Sequence, residues 1–226
     1  VFENRGFNSY HSALSAQPVF GGPVYFFRNV CYNVPGTALK YTVRPSGIYT
    51  YQNTFVMDVA ITNFSNGHFR NILFIGPDDS CFNLTGTTFT RYSSLDYNGY
   101  KKKKNDAMKY RWRHPATDSL NQADEKKLTT IEFKSLRDFS KQTGYEKHGI
   151  ELDNDIFVNV ALPDPTRKGH IYPVAGYDFG LKPSSKAVDA GCVLPNITDN
   201  FTGKAPDLGA IESGVQLPSY GPRTRR

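Results

Sequence analysis

Short runs of apolar and aromatic residues, each followed by Asn, recur along the first third of the chain. The clearest unit, residues 21–33, reads GGPVYFFRNVCYN: a turn, a β-rich run, an Asn and further apolar residues. Similar units surround Asn4, Asn53 and Asn71, so the four Asn residues, with Asn29, lie 25, 24 and 18 residues apart. A period of this size predicts a stack of repeating units, a solenoid.

The repeat length and the short strands are typical of a parallel β-helix. One coil of short strands cannot bury its inner face alone, whereas stacked coils bury a continuous core and pair each strand with its neighbours above and below. At each corner an Asn amide can bond to the equivalent amide one coil away, and the Asn backbone tolerates the left-handed region. The alternative is that these Asn residues mark ordinary turns of an unrelated all-β sandwich.

Residues 129–144 contain the one predicted helix. Ser135 followed by Asp138 resembles an N-cap box, and Leu136 and Phe139 share one face. Gly144 can close the C-terminus. We expect this helix to pack on the flank of the stacked coils without a chemical role.

Three stretches carry a resemblance to a known family: SAQPVFGGPVYFFRNVCYNV, SGIYTYQNTFV and LKPSSKAVDAGCVLPNITDNFTGKAPDLGAIESG. They resemble the C-terminal part of the right-handed parallel β-helix proteins of the pectate-lyase-like superfamily, in particular secreted bacterial members described only as repeat-containing. The resemblance implies the fold and an extracellular or cell-surface setting. It implies no single activity, because this superfamily includes lyases, hydrolases, epimerases and adhesive proteins.

The predicted fold class is therefore all-β, a right-handed parallel β-helix with one short flanking α-helix and an irregular C-terminal cap. Coils are expected at 1–100, a basic loop at 101–128, and the helix, the last strands and the cap at 129–226. In that cap, Asp189 and Asp207 are expected to accept hydrogen bonds from backbone amides. The chain begins inside a repeat at Val1, so we expect either upstream coils or a partner chain covering this edge.

The charge of the chain narrows the class of partner. The formal net charge is +6, and four consecutive Lys occupy residues 101–104. A cationic surface attracts polyanions such as uronate polysaccharide or anionic cell-surface polymer. We predict no nucleic-acid partner, because no recognised binding motif accompanies the charge. We also predict no membrane span, because no apolar run reaches the length of one.

The candidate binding residues lie on outward strand faces. If Ile48 and Thr50 point inward, Tyr49 and Tyr51 point outward. Aromatic ring faces stack on sugars, and Arg side chains bind carboxylates. We therefore predict a substrate-binding surface in which an Arg lies among tyrosines. Its residues are Arg28, Tyr41, Tyr49 and Tyr51. The alternative is a solvated strand face without a ligand, in which Tyr occurs because it is favoured in β-strands.

The candidate catalytic residues are Lys40, Arg44 and His11. These residue types can remove the proton beside a uronate carboxylate, or stabilise the resulting charge, in a β-elimination. Nothing in their spacing establishes this role. Hydrolysis is less favoured because it needs two carboxylates facing one cleft, and this part of the chain has few acidic residues.

Neither a metal nor a disulfide framework is indicated. We predict no cofactor, and Ca²⁺ at the adjacent Asp78 and Asp79 is the weaker alternative to solvated turn carboxylates. Cys31, Cys81 and Cys192 lack metal-type spacing and are expected to be small apolar core residues with at most one disulfide.

Two functional hypotheses remain open at this point. The first is an extracellular protein that binds an acidic polysaccharide and cleaves it by β-elimination or hydrolysis. The second is a non-catalytic structural or adhesive module of a cell-surface layer, appendage or larger assembly.

Overall fold

The computed structural model describes most of the chain, with gaps that the following ranges leave out. The described residues are 5–8, 12–16, 23–34, 37–41, 45–56, 64–76, 85–87, 92–101, 110–115, 128–153, 155–164, 166–167 and 169–215. They form a mostly β structure with one α-helix among them, which confirms the prediction of an all-β chain with one short helix.

The strands are short, most of them three to six residues long. In chain order they are β1 Arg5–Phe7, β2 Ser12–Ala16, β3 Val24–Phe27, β4 Val30–Tyr32, β5 Thr37–Tyr41, β6 Ser46–Tyr51, β7 Thr54–Val56, β8 Ser65–Arg70, β9 Leu73–Phe74, β10 Thr85–Thr87, β11 Ser94–Asp96, β12 Gly99–Lys101, β13 Tyr110–Pro115, β14 Leu128–Phe133, β15 Ile150–Leu152, β16 Phe157–Asn159 and β17 Asp178–Leu181.

Two parallel sheets run side by side through the first half of the chain. The larger has the order β1-β4-β7-β9-β12-β15, and the second has the order β3-β6-β8-β11. All neighbours in both sheets are parallel. Within each sheet the strands follow chain order, so the chain alternates between the sheets and each strand lies beside its counterpart from the previous repeat.

Smaller sheets complete the β structure. β2 pairs with β5 in parallel, β10 pairs with β13 in parallel, and β13 pairs with β14 in antiparallel. β13 falls inside residues 101–128, where the sequence predicts a loop only. Near the C-terminus β16 pairs with β17 in antiparallel, and residues 205–214 form turns and bends rather than a last strand.

A two-residue corner joins each strand of the second sheet to the next strand of the larger sheet. The first corner residue has a left-handed backbone: φ is 53° at Arg28, 53° at Gln52, 54° at Asn71 and 56° at Tyr97. The sequence analysis placed Asn at these corners because the Asn backbone tolerates this conformation. Among these four left-handed residues Asn71 is the one Asn, and Asn29 and Asn53 directly follow a left-handed residue.

The register also corrects one position of the predicted repeat. Thr54 pairs with Leu73, so Asn53 is equivalent to Ile72 and Asn71 is equivalent to Gln52. This repeat is shorter than its neighbours, and the apolar Ile72 takes the place before β9 that Asn53 holds before β7. Asn71 instead accepts from the backbone N–H of Cys192 at 2.9 Å and donates to its carbonyl at 2.8 Å.

The predicted Asn ladder is present beside the paired strands β4 and β7. Asn29 Nδ2 and the Asn29 backbone N–H both donate to Asn53 Oδ1, at 2.8 and 2.9 Å. Asn53 Nδ2 in turn donates to the carbonyls of Phe26 and Tyr51. Both Asn side chains are completely buried, and these bonds satisfy them.

The core is aromatic and lies between the sheets. Phe55, Phe74 and Tyr100 stack in one column, with ring centroids 5.8 and 5.1 Å apart. At the end of the column the buried carboxyl of Glu146 accepts from Tyr100 Oη at 2.7 Å and from Asn98 Nδ2 at 2.7 Å. The thiols of Cys31 and Cys192 are free, and Cys81 lies outside the described residues.

The single described helix, α1, spans Leu136–Thr143 and has the predicted caps. The Ser135 side chain accepts from the backbone N–H of Asp138 at 3.1 Å, and Gly144 closes the helix with φ 76°. Leu136 and Phe139 are buried, and the Phe139 ring packs edge-on against Phe133 of β14. The prediction of this helix is confirmed.

The C-terminal segment packs on the larger sheet through an apolar cluster that includes Leu208 and Leu73, and its own loops are held by polar contacts. Asp189 Oδ1 accepts from the backbone N–H groups of Lys204 and Ala205, and Asp207 Oδ1 accepts from the N–H of Asp189. The predicted roles of Asp189 and Asp207 are confirmed. Gly209, with φ 93°, packs directly on Leu73 and Thr54, where an added Cβ would lie 2.6 Å from each.

Candidate carbohydrate-binding face

The outward side of the second parallel sheet carries two rows of side chains in register. The first row is Tyr25, Tyr49, His68 and Ser94, and the second is Phe27, Tyr51, Arg70 and Asp96. Their chain neighbours Phe26, Thr50, Phe69 and Leu95 are buried on the other side of the sheet. We call the two outward rows the aromatic face.

The rings in each row stack on one another. Tyr25 and Tyr49 have ring centroids 5.2 Å apart at an interplanar angle of 24°, and Tyr49 and His68 are 5.2 Å apart at 22°. Phe27 and Tyr51 are 5.5 Å apart at 8°. Parallel strands in register place equivalent side chains about 4.8 Å apart, which is why the same residue type on successive strands produces a stack.

The polar end of the face forms one hydrogen-bond network. His68 Nδ1 lies 2.7 Å from Ser94 Oγ, and His68 Nε2 lies 3.0 Å from Asn66 Oδ1. Arg70 Nη2 donates to Ser94 Oγ at 3.1 Å, and Arg70 Nη1 donates to the Phe69 carbonyl at 2.7 Å. The positions of the imidazole and the guanidinium are therefore set by contacts on more than one side.

Burial and charge shift the proton affinities at this end. Half-burial lowers the pKa of His68, and the neighbouring Arg70 lowers it further, so the imidazole is neutral at neutral pH. Burial raises the pKa of Tyr51 to about 12, although Arg70 acts in the opposite direction. At the end of the second row, Asp96 Oδ2 lies 3.0 Å from His148 Nδ1, and the His148 ring stacks on Tyr97.

Two of the predicted binding residues lie on this face. Ile48 and Thr50 are buried and Tyr49 and Tyr51 are half-buried, so the predicted alternation of β6 is confirmed. Arg28 lies at the corner after Phe27, and its guanidinium donates to the Ile197 carbonyl. It lines a cavity of about 170 Å³ beside the face, together with Gln52, Thr198, Asn200, Phe201, Glu212 and Val215.

The prediction that Tyr41 binds a ligand is wrong. Its side chain is completely buried, and its hydroxyl is 2.6 Å from Thr50 Oγ1. Burial raises its pKa well above the usual range for tyrosine. The ring contacts Phe26, Phe64 and Phe69 in the core, where no external sugar can reach it.

Of the predicted catalytic residues, Lys40 is the one that the structure describes, and it does not lie on this face. Lys40 is half-buried on β5, which pairs with β2 in a separate two-stranded sheet. His11 and Arg44 lie outside the described residues, and their roles stay predictions.

Several residues of the face escaped the sequence analysis, namely Tyr25, Phe27, His68, Arg70, Ser94 and Asp96, and so did Asn66 beside the first row. A signal for two of them was present, because Tyr25 and Phe27 alternate within VYFF as Tyr49 and Tyr51 do within IYTY. His68 could not be placed in this way, because aligning Asn71 with Asn53 sets Gly67 beside Tyr49. Ser94 falls in a stretch whose repeat spacing the sequence did not reveal.

No metal site appears within the described ranges, where no group of three His, Cys, Asp or Glu residues is placed to hold an ion. Asp78 and Asp79 are not among the described residues. The helical part of the described structure includes no segment that is both long and apolar enough to cross a membrane.

Comparison with known proteins returned no relative. No protein-family model, curated protein or solved structure matches the chain.

Proposed function

We propose that this chain is part of a right-handed parallel β-helix and that its aromatic face binds an acidic polysaccharide outside the cell. The alternation of strands between two parallel sheets, the two-residue corners and the Asn29–Asn53 bond support the architecture. The handedness and the extracellular setting rest on the resemblance of the sequence to the pectate-lyase-like superfamily.

The stacked aromatic rows are the observation that carries the binding proposal. The stacked rings cross three strands in the first row and two in the second, and the first stack spans about 10 Å at a strand spacing of about 4.8 Å. Tyr25 at one end of its row is 39% exposed, so its ring can stack on a sugar. An open, straight row suits an extended chain of sugar units better than a small compact ligand.

The positive charge of the face favours an acidic polysaccharide over a neutral one. Arg70 lies within the second row and Arg28 at its border, and the whole chain carries a formal net charge of +6. Asp96 is the acidic residue of the face, and it contacts the His148 ring. Uronate carboxylates would therefore meet a positive potential along the rows.

The proposal is limited to binding. Lys40 lies on another sheet, so the expected β-elimination has no assembled base and cation among the sequence-predicted residues that the structure describes. Adhesion of a cell-surface module to a uronate polymer is one use of such binding, and it unites the two hypotheses that the sequence left open.

Affinity electrophoresis in gels that contain polygalacturonate, alginate or neutral dextran tests the proposal. We expect retardation by the two uronate polymers, not by dextran, and weaker retardation as salt rises. Because a stacking contact is worth about 0.5–1.5 kcal/mol, Tyr25→Ala should weaken binding about twofold to tenfold.

The matched control is Tyr92→Ala, which removes an exposed tyrosine outside the two rows. Its retardation should equal that of the unmodified protein. Equal retardation by dextran and uronate gels, or no effect of Tyr25→Ala, would contradict the proposed face.

A further inference from the structure

Ser94, His68 and Asn66 form a connected triad at the end of the first row. The two distances, 2.7 Å from Ser94 Oγ to His68 Nδ1 and 3.0 Å from His68 Nε2 to Asn66 Oδ1, are those of hydrogen bonds. A hydroxyl, an imidazole and an orienting side chain in this order are the parts of a serine nucleophile activated by a base.

The amide oxygen of Asn66 sets the direction of the bonds in the triad. Asn66 Oδ1 can only accept, so the ring proton of neutral His68 lies on Nε2 and Nδ1 is an acceptor. Ser94 Oγ therefore donates its hydrogen to His68 Nδ1 and accepts from Arg70 Nη2. This is the tautomer that a base needs in order to take the proton of Ser94.

The surroundings keep the imidazole neutral and in place. Arg70 faces it from β8, Tyr49 stacks on its ring from β6, and β11 brings Ser94 and, in the second row, Asp96. Burial and Arg70 both lower the pKa of His68, so the base form is present at neutral pH. Asn66 has a left-handed backbone with φ 51°, a conformation that Asn tolerates, which turns its side chain toward the ring.

We propose that Ser94, His68 and Asn66 are the catalytic and positioning residues of an esterase that removes O-acyl groups from the polysaccharide bound on the aromatic face. This inference rests on the proposed function for the identity of its substrate. A polymer that stacks on Tyr25 and continues along the first row reaches His68 and Ser94 at the other end, about 14 Å away at a strand spacing of about 4.8 Å.

The reaction balances with water as the second reactant. Ser94 Oγ attacks the ester carbonyl carbon while its proton passes to His68 Nδ1. The sugar oxygen then leaves with that proton, and the acyl group stays on Ser94. Water attacks the acyl-enzyme with His68 again taking a proton, and the carboxylic acid is released with Ser94 regenerated. The Arg70 charge faces the negative oxygen that forms at each attack.

The chemistry of the face favours an ester over a glycosidic bond. Glycoside hydrolysis needs two carboxyl groups that flank the bond. Within the two rows the one carboxyl group is that of Asp96, and it already contacts the His148 ring. The rows therefore do not supply the pair that glycoside hydrolysis needs. A serine paired with a neutral histidine is suited to acyl transfer.

A fluorophosphonate probe and two ester substrates test the inference. We expect the probe to label the folded protein on Ser94, located by peptide mass spectrometry, and the protein to hydrolyse p-nitrophenyl acetate and to release acetate from acetylated polygalacturonate. Ser94→Ala should abolish the labelling and lower the rate at least 100-fold. Ser46→Ala, which removes an exposed serine of neighbouring β6, should change neither.

The pH profile separates a positioning role of Asn66 from a structural one. Activity should rise with pH as His68 loses its proton, with a midpoint below the usual histidine pKa. Asn66→Asp keeps the acceptor but adds a charge that stabilises protonated His68, so the midpoint should move upward. Asn66→Ala should lower kcat with little change in KM.

The possible failures of the two proposals are distinguishable. Absence of a Ser94 adduct, or a Ser94→Ala rate equal to that of the unmodified protein, overturns the esterase while uronate binding and its loss in Tyr25→Ala still stand. Labelling of Ser94 and ester hydrolysis without retardation by uronate gels overturns the polysaccharide substrate and keeps the acyl-transfer site.

Discussion

Replacing the buried carboxyl of Glu146 with an amide should make the protein more stable at neutral pH. Glu146 is 2% exposed, and burial raises its pKa from 4.5 to about 7, with the charge of Asp96 acting in the same direction. The hydrogen bonds from Asn98 and Tyr100 oppose this shift without cancelling it. The folded protein therefore favours the neutral acid, whereas the unfolded chain ionises it near its ordinary pKa.

The sign and size of the effect follow from this difference. A raised folded-state pKa gives a stability contribution that is complete below pH 4.5 and is lost as pH rises through about 7. A shift of about 2.5 pKa units at 1.36 kcal/mol each corresponds to about 3 kcal/mol of unfolding free energy between pH 4.5 and pH 8. Glu146→Gln cannot ionise, and its amide oxygen still accepts from Tyr100 and Asn98.

Urea unfolding followed by circular dichroism at pH 4.5, 6, 7 and 8 measures the difference. The advantage of Glu146→Gln over the unmodified protein should grow by about 3 kcal/mol across this range. Asp153→Asn, which removes an exposed carboxylate, is the matched control for the loss of one carboxyl group. If the two stability curves of Glu146→Gln and the unmodified protein run parallel, Glu146 is ionised in the fold and the reasoning is refuted.

Two further substitutions test the packing of the parallel sheets. Asn53→Ala removes the oxygen that accepts from the backbone and side-chain N–H groups of Asn29, and the amide that donates to the carbonyls of Phe26 and Tyr51. It should cost about 3 kcal/mol in denaturant unfolding, whereas Asn159→Ala on an exposed strand should cost less than about 1 kcal/mol. Gly99→Ala places a Cβ 2.6 Å from Leu152 Cδ1 and should cost about 1–3 kcal/mol by overpacking. Gly176→Ala, where nothing lies within 4 Å of the added Cβ, is its control, and equal losses in the two glycine variants would contradict the packing argument.

Local patterns in the sequence were sufficient for features that depend on neighbours in the chain. The helix Leu136–Thr143 was predictable because Ser135 and Gly144 are its caps, and capping is a contact within one or two turns. The orientation of Tyr49 and Tyr51 was predictable because side chains alternate along a strand. The Asn29–Asn53 bond was predictable because both residues occupy the same place in consecutive repeats of equal type.

Features that depend on register between strands were decided only by the tertiary structure. The repeat that ends at Asn71 is shorter than its neighbours, so spacing alone aligned Asn71 with Asn53 instead of Gln52. Tyr41 has a polar hydroxyl and a large apolar ring, and only the packing of β5 against the core shows which of the two decides its position.

The candidate triad also depends on strand register, which the sequence does not reveal. His68 and Ser94 are 26 residues apart in sequence, and their contact exists because β8 pairs with β11 in one particular register. A shift of that register by one residue would turn Ser94 to the other side of the sheet. The sequence by itself determined the β-rich repeats, the helix and the outward tyrosines, since those follow from local geometry. Only the pairing of β8 with β11 brought Asn66, His68, Arg70 and Ser94 together.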